Sequence, residues 1–279
     1  MPPAVSCGEN VWRKGRNEEN TEISGAERLL RVRRVDGSMN LWGITNKGAV
    51  REQNQDSFCI RRLADGNALC LVCDGMGGAK AGNVASALAV ETFEASFLGQ
   101  DSPSIQERLL TAAEAANLAI YRRAREDEDC HGMGTTIVAV HITPQGHAIL
   151  LNVGDSRGYR IRPSGIERIT RDHSLVEDLV ERGQITESEA RSHPQKNLIT
   201  RALGVESHVR ADFYDLTLEA GEFLLLCSDG LSNTVEDQEL LFETLHGGTP
   251  ETCCQRLLDI SLNRGAPDNV TAVLIQIEA

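Results

Sequence analysis

At 279 residues, with 41% hydrophobic and 25% charged side chains, the chain has the composition of a globular protein and can bury a core without disulfide or metal staples. Its 28 Lys and Arg against 41 Asp and Glu leave a formal net charge of −13, which disfavours binding to nucleic-acid phosphates or anionic membranes. No apolar run approaches the roughly 20 residues of a membrane-spanning helix.

Residues 1 to 38 are rich in Asn, Glu and Arg and poor in apolar residues before Leu29. They read either as a flexible N-terminal extension or as sequence ahead of a start at Met39. They hold no apolar signal-peptide core, so the eight cysteines are expected as thiols in a reducing, cytoplasmic setting. Cys7 and Arg13 have the outline of a cysteine-phosphatase loop, but Glu9 lies inside it and no apolar strand precedes it, so it is set aside.

From residue 39 the chain reads as one domain to residue 279. Strands are expected at 41–46, 57–63, 68–73, 135–142, 147–153, 157–162, 166–169, 209–216, 222–227 and 270–277. Helical periodicity covers 80–98, 103–126, 237–246 and 250–263. The links Thr143–Gly146 and Pro163–Gly165 are too short for parallel crossovers, so the strands pair antiparallel. The architecture is therefore α+β. The polar stretch 172–204, with short helical pieces at 175–182 and 187–191, reads as an excursion from the sheet. Cys70 and Cys73 lie in the apolar run 68–73 with no second pair to complete a zinc site, so they read as core residues.

Three apolar strands run straight into an acid followed by a small residue: Asp74-Gly75, Asp155-Ser156 and Asp229-Gly230. Singly, such a pair is a turn. Two more acids, Asp56 and Asp268, border strand starts. Gathered on one rim, these carboxylates cannot all stay ionised without cations, and an all-oxygen set favours Mg2+ or Mn2+ over Zn2+. Two such ions can activate water for attack on phosphorus, and Arg51, five residues before Asp56, can grip a phosphate with its planar fork. The residues alone thus point to a two-metal phosphohydrolase. Asp155 reads as support for its turn.

In order along the chain, Arg51-x-x-Asn54-x-Asp56, Asp74-Gly-Met-Gly-Gly78, Gly134-Thr-Thr136, Gly154-Asp-Ser-Arg157, Ser228-Asp-Gly230 and Asp268-Asn-Val270 resemble the type 2C (PPM) metal-dependent protein Ser/Thr phosphatases. The stretch 172–204 resembles the flap of the bacterial branch. The resemblance implies an antiparallel β-sandwich flanked by paired helices on both outer faces. It implies metal ligation by Asp56, Asp74, the Gly75 carbonyl, Asp229 and Asp268, with Arg51 on the phosphate. It also implies Asp129 and Asp172 as carboxylates of a third, weaker metal site. The implied reaction is hydrolysis of phosphoserine and phosphothreonine by a metal-bridging water or hydroxide, without a phosphoenzyme. The implied partners are phosphoproteins and an opposing bacterial Ser/Thr kinase, and the expected state is a monomer without nucleic-acid or membrane partners. Two positions depart from the family: Met76, where the eukaryotic branch often has His, and Ala79, where many bacterial members have His. A non-catalytic relative that binds phosphoproteins would be expected to have lost some of these residues, and a two-metal nuclease would carry a basic stripe.

Overall fold

A strand that is apolar on both faces must be covered on both, and Ala68–Cys73 is buried along its whole length. The computed structural model describes residues 39–78 and 81–278 and shows how this is done. The N-terminal extension, the Cys7/Arg13 spacing and Ala79 lie outside the described residues.

In chain order the elements are β1 (Met39–Asn46), β2 (Asp56–Arg62), β3 (Ala68–Met76), α1 (Ala81–Leu98), α2 (Ile105–Glu126), β4 (Gly134–Thr135), β5 (Ile137–Ile142), β6 (His147–Val153), β7 (Arg157–Arg162) and β8 (Gly165–Arg168). There follow α3 (Leu175–Glu181), α4 (Glu187–Arg191), β9 (Asp212–Thr217), β10 (Phe223–Cys227), α5 (Asp229–Ser232), α6 (Asp237–His246), α7 (Pro250–Asn263) and β11 (Val270–Ile277). One sheet runs β1-β11-β10-β7-β8; the other runs β2-β3-β5-β6-β9, with β4 added beside β3. Every ladder is antiparallel, as the short links require.

Three apolar layers hold the sandwich and its helices. Phe58, Cys70, Val72, Val138, Leu224 and Ile275 fill the space between the sheets. Leu71, Cys73, Ala85, Phe93, Ala116 and Ile120 join the second sheet to α1 and α2. Trp42, Tyr159, Leu225, Leu257, Leu258 and Leu274 join the first sheet to α6 and α7. Alanines at the α1 contact let the helix sit close to the strands. Cys70 and Cys73 belong to different layers, so they face opposite sides of β3 and cannot share one metal ion.

The helix starts follow capping chemistry: the Ser104 side chain accepts from Glu107 N ahead of α2, and Thr249 accepts from Thr252 N ahead of α7, where Pro250 is the first helical residue. The flap leaves after β8 and carries α3 and α4. Its roots close on each other through Leu175 N to Leu198 O (2.9 Å) and Thr200 N to His173 O (2.8 Å). None of the described helices is long and apolar enough to cross a membrane.

The expected strand at 135–142 is divided at Thr136. Its N–H donates to Asp74 O (2.9 Å), and its hydroxyl accepts from Asp74 N (3.0 Å), so the ladder is interrupted to pin an acid. The last strand of the second sheet begins at Asp212 rather than 209, and Asp229–Ser232 forms a single helical turn, α5, too short to show a periodic pattern in the sequence.

Candidate metal and phosphate site

Sandwich closure brings the acid-bearing ends to one rim. Asp56 opens β2 and stands directly opposite Asp74 near the end of β3, two like charges in facing ladder positions. Asp229 starts α5 where β10 ends, and Asp268 precedes β11. A cavity of about 560 Å3 at this rim is lined by Arg51, Asp74, Gly75, Asp155, Asp229 and Asp268, among others. Asp56 lies nearly buried (6% exposed).

Each acid is held by its neighbours. The Oδ2 atom of Asp56 accepts from Ser228 Oγ and Thr271 Oγ1, both at 2.7 Å. Asp74 is fixed through its backbone, whose carbonyl also accepts from Thr135 Oγ1 at 2.8 Å. Asp229 Oδ2 accepts from Asn233 Nδ2 (3.0 Å). A side chain at residue 75 would put its Cβ 2.0 Å from the Gly82 carbonyl oxygen, so only glycine permits this approach of β3 to α1.

Among the described residues Asp56, Asp74 and Asp229 have no ion-pair partner, and only Asp268 of the four proposed ligand acids has one. Buried Oδ1 atoms of Asp56 and Asp229 have no hydrogen-bond donor. The nearby guanidinium groups are engaged: Arg51 Nη2 pairs with the rim acid Asp268 through Oδ2 at 2.7 Å, and Arg157 Nη2 pairs with Asp172 Oδ2 at 2.6 Å. Burial, with the charges of Asp229 and Asp268, pushes the Asp56 carboxyl up to about 7 against the hydrogen bonds of Thr271 and Ser228. Burial and the Asp229 charge push Asp155 up to about 8. Asp74 is driven well above the usual carboxylate range by burial and then Asp56, and Asp229 is raised by burial and then Asp268. Such a set needs protons or cations to be stable.

Among the described residues no three His, Cys, Asp or Glu side chains have closed to the spacing of one coordination sphere. Hard cations that keep several waters need few protein oxygens each. The orphaned Asp56 and Asp229 oxygens, the all-oxygen chemistry and the missing counter-charge fit Mn2+ or Mg2+.

The two acids expected at a third metal site lie outside this cavity. Asp129 is exposed in a 3-10 turn at Glu128–Cys130, its N–H bonded to Asp127 Oδ1. Asp172 faces a neighbouring cavity of about 250 Å3 that also reaches Asp155 and Asp229. Both oxygens of Asp172 accept from Arg157. Met76 lines the main cavity.

Two residues at this rim exceed what the sequence suggested. Asp155, read as turn support, also lines the cavity; the signal was its place among the acids ending apolar strands. Asn269 is buried (3% exposed) and fastens the Arg51 loop. Its side chain accepts from Gln55 N (2.8 Å) and donates to Lys47 O (2.8 Å) and Gln53 O (2.9 Å). Asn269→Ala strands those groups, so it should lower stability by about 2–3 kcal/mol, read as a shifted urea midpoint. A change below about 0.5 kcal/mol, the size of an ordinary surface substitution, would refute the fastening role.

The family described as Protein phosphatase 2C matches residues 47–252. The serine/threonine phosphatase stp of Listeria monocytogenes is 34% identical over 236 residues, 83% of this chain and 93% of that protein. The crystal structure of the serine/threonine phosphatase Stp1 from Staphylococcus aureus superposes with a TM-score of 0.82 at 34% identity, covering 90% of this chain and 100% of that one. The catalytic domain of the serine threonine protein phosphatase PstP, solved in complex with two manganese ions, does so with a TM-score of 0.76 at 33% identity, covering 87% of this chain and 99% of that one.

Proposed function

The chain belongs to the protein phosphatase 2C family and is a protein serine/threonine phosphatase, and from that premise we propose that it hydrolyses phosphoserine and phosphothreonine with two Mn2+ or Mg2+ ions held by Asp56, Asp74, the Gly75 carbonyl, Asp229 and Asp268. The carrying observation is the pair of buried, donorless Oδ1 atoms on Asp56 and Asp229, at a rim where Asp56 stands opposite Asp74 and where Asp74, Asp229 and Asp268 line one cavity. When bound, the ions supply Lewis-acid activation of water for direct attack on phosphorus.

The chain supplies the remainder. Ser228 and Thr271 aim Asp56, and Thr135 and Thr136 aim Asp74. Arg51 stands half-exposed at the rim, so its fork can turn from Asp268 to two phosphate oxygens. Among the described residues no Cys or His lines the cavity, and the Thr136 hydroxyl is engaged by Asp74 N and Ser156. That supports direct hydrolysis over a Cys, His or Thr phosphoenzyme. Met76 has no proton to give, so the leaving oxygen takes its proton from water. The substrates are phosphoproteins of the cytoplasm, modified by a bacterial Ser/Thr kinase. Chelator-treated protein should be inactive on para-nitrophenyl phosphate and on a phosphothreonine peptide, with Mn2+ restoring both. Mn2+ binding without turnover would favour a non-catalytic binder.

Asp129 and Asp172 are proposed carboxylates of a third, weaker cation site, where Asp172 must exchange its Arg157 contacts. Asp129→Ala is expected to remove that weak site and lower the rate about 10-fold, as loss of metal-site support does, leaving two ions bound. Unchanged calorimetric stoichiometry with an unchanged rate would make Asp129 a solvated loop acid.

A further inference from the structure

The buried ring of His173, 4% exposed, joins the turn before Asp155, both roots of the flap and β9. Its main chain is bound on both sides: its N–H donates to Gly154 O (2.9 Å), and its carbonyl accepts from Thr200 N (2.8 Å). The next pair out, Ser174 and Ile199, forms a β-bridge.

The ring contacts fix its tautomer. Gly154 N donates to His173 Nδ1 at 3.0 Å, so that nitrogen carries no proton. A neutral imidazole then holds its proton on Nε2. That atom lies 3.2 Å from Asp212 Oδ2, an ion-pair contact and the acceptor nearest to it in the structure. Arg201 Nη1 also lies 3.1 Å from Nε2, but both are donors, and the Arg201 hydrogen bond goes to Asp212 Oδ1 at 2.9 Å. Gly154 and Arg201 thus end a chain of bonds through His173 and Asp212, from the catalytic turn to the flap root.

The turn needs holding. Gly154 has φ +112°, and a Cβ there would lie 2.6 Å from Thr136. Its carbonyl also accepts from Asn152 Nδ2 (3.3 Å). Asp155 follows at once and lines the cavity together with Asp74 and Asp229.

We propose that His173 is a positioning residue: by accepting the Gly154 N–H it holds Asp155 in the catalytic cavity, and by donating to Asp212 it ties that turn to the flap. The proposal rests on the cavity being the phosphatase site.

The test compares two isosteres in the Mn2+-loaded enzyme. The amide oxygen of His173→Asn stands near the Nδ1 position and keeps an acceptor for Gly154. The longer His173→Gln reaches the Nε2 position and keeps a partner for Asp212 but none for Gly154. On para-nitrophenyl phosphate, His173→Gln should lose about 10-fold or more in kcat with KM within about twofold, while His173→Asn stays within about threefold of wild type. Melting temperatures should not rank the variants in this way. Two-bond proton–nitrogen NMR of the wild type should show the Nε2-protonated neutral ring near pH 7.5. The opposite tautomer would overturn the proposal even if both variants fail to fold. Equal kcat for both variants, or a loss that only follows melting temperature, would overturn it with the phosphatase reading intact. An inactive wild type would overturn both.

Discussion

Asp229→Asn is expected to reduce Mn2+-dependent turnover at least about 100-fold, about 2.7 kcal/mol of transition-state stabilisation, while the protein stays folded. The substitution keeps size and shape. Its amide oxygen can still accept from Asn233 Nδ2. What it loses is a charge for holding a cation. The metal-free variant should melt at or above the wild-type temperature, because removing one acid relieves a crowded set. The sign follows from linkage. Burial and Asp268 raise the Asp229 carboxyl in the folded chain, so the folded state binds the proton more tightly than the unfolded one. Stability from that proton is present at low pH and lost as pH rises through the folded value. The advantage of the variant should therefore grow from pH 5 to pH 8. Near wild-type turnover at limiting Mn2+ would remove Asp229 from the metal site.

Arg51→Ala should lower kcat/KM about 10- to 100-fold, or about 1.4–2.7 kcal/mol, with little effect on folding. Arg51 and Asp268 are 49% and 31% exposed in the side chain, and an ion pair in such surroundings contributes roughly 0–1 kcal/mol. Its weight lies instead in the phosphate, whose oxygens redistribute charge in the transition state. Arg51→Lys keeps the charge and loses the fork, so it should recover only part of the rate. The alanine variant should bind Mn2+ at least as well as wild type, since Asp268 is then free of its competitor. If kcat and KM on a phosphopeptide both stay within twofold, Arg51 does not read the phosphate.

The readable parts of this chain were those where local pattern and tertiary role coincide. Ala68–Cys73 is apolar at every position because both faces of β3 are covered, and Asp74 announces itself by ending that run. The Arg51 to Asp56 spacing marked one loop at the rim. The reading failed where a role depends on a distant partner. Asn269 stands in the sequence only as the middle of Asp268-Asn-Val270, and its role shows once Lys47, Gln53 and Gln55 are brought against it over more than 200 positions. His173 carries no periodic signal, because its bonds run to Gly154 and Asp212 on other elements. The break at Thr136 exchanges ladder bonds for bonds to Asp74, which no propensity encodes. Asp155 stood in the right pattern, but the competing turn explanation is local, and only sheet closure distinguishes them.

The most direct measurement is calorimetric titration of chelator-stripped wild-type protein with Mn2+, with phosphothreonine-peptide hydrolysis followed on the same samples. Two ions per chain in the tight phase are predicted, with the rate appearing only as both sites fill. A fully active protein with fewer than two bound ions, or turnover that persists in the chelator, would contradict the account.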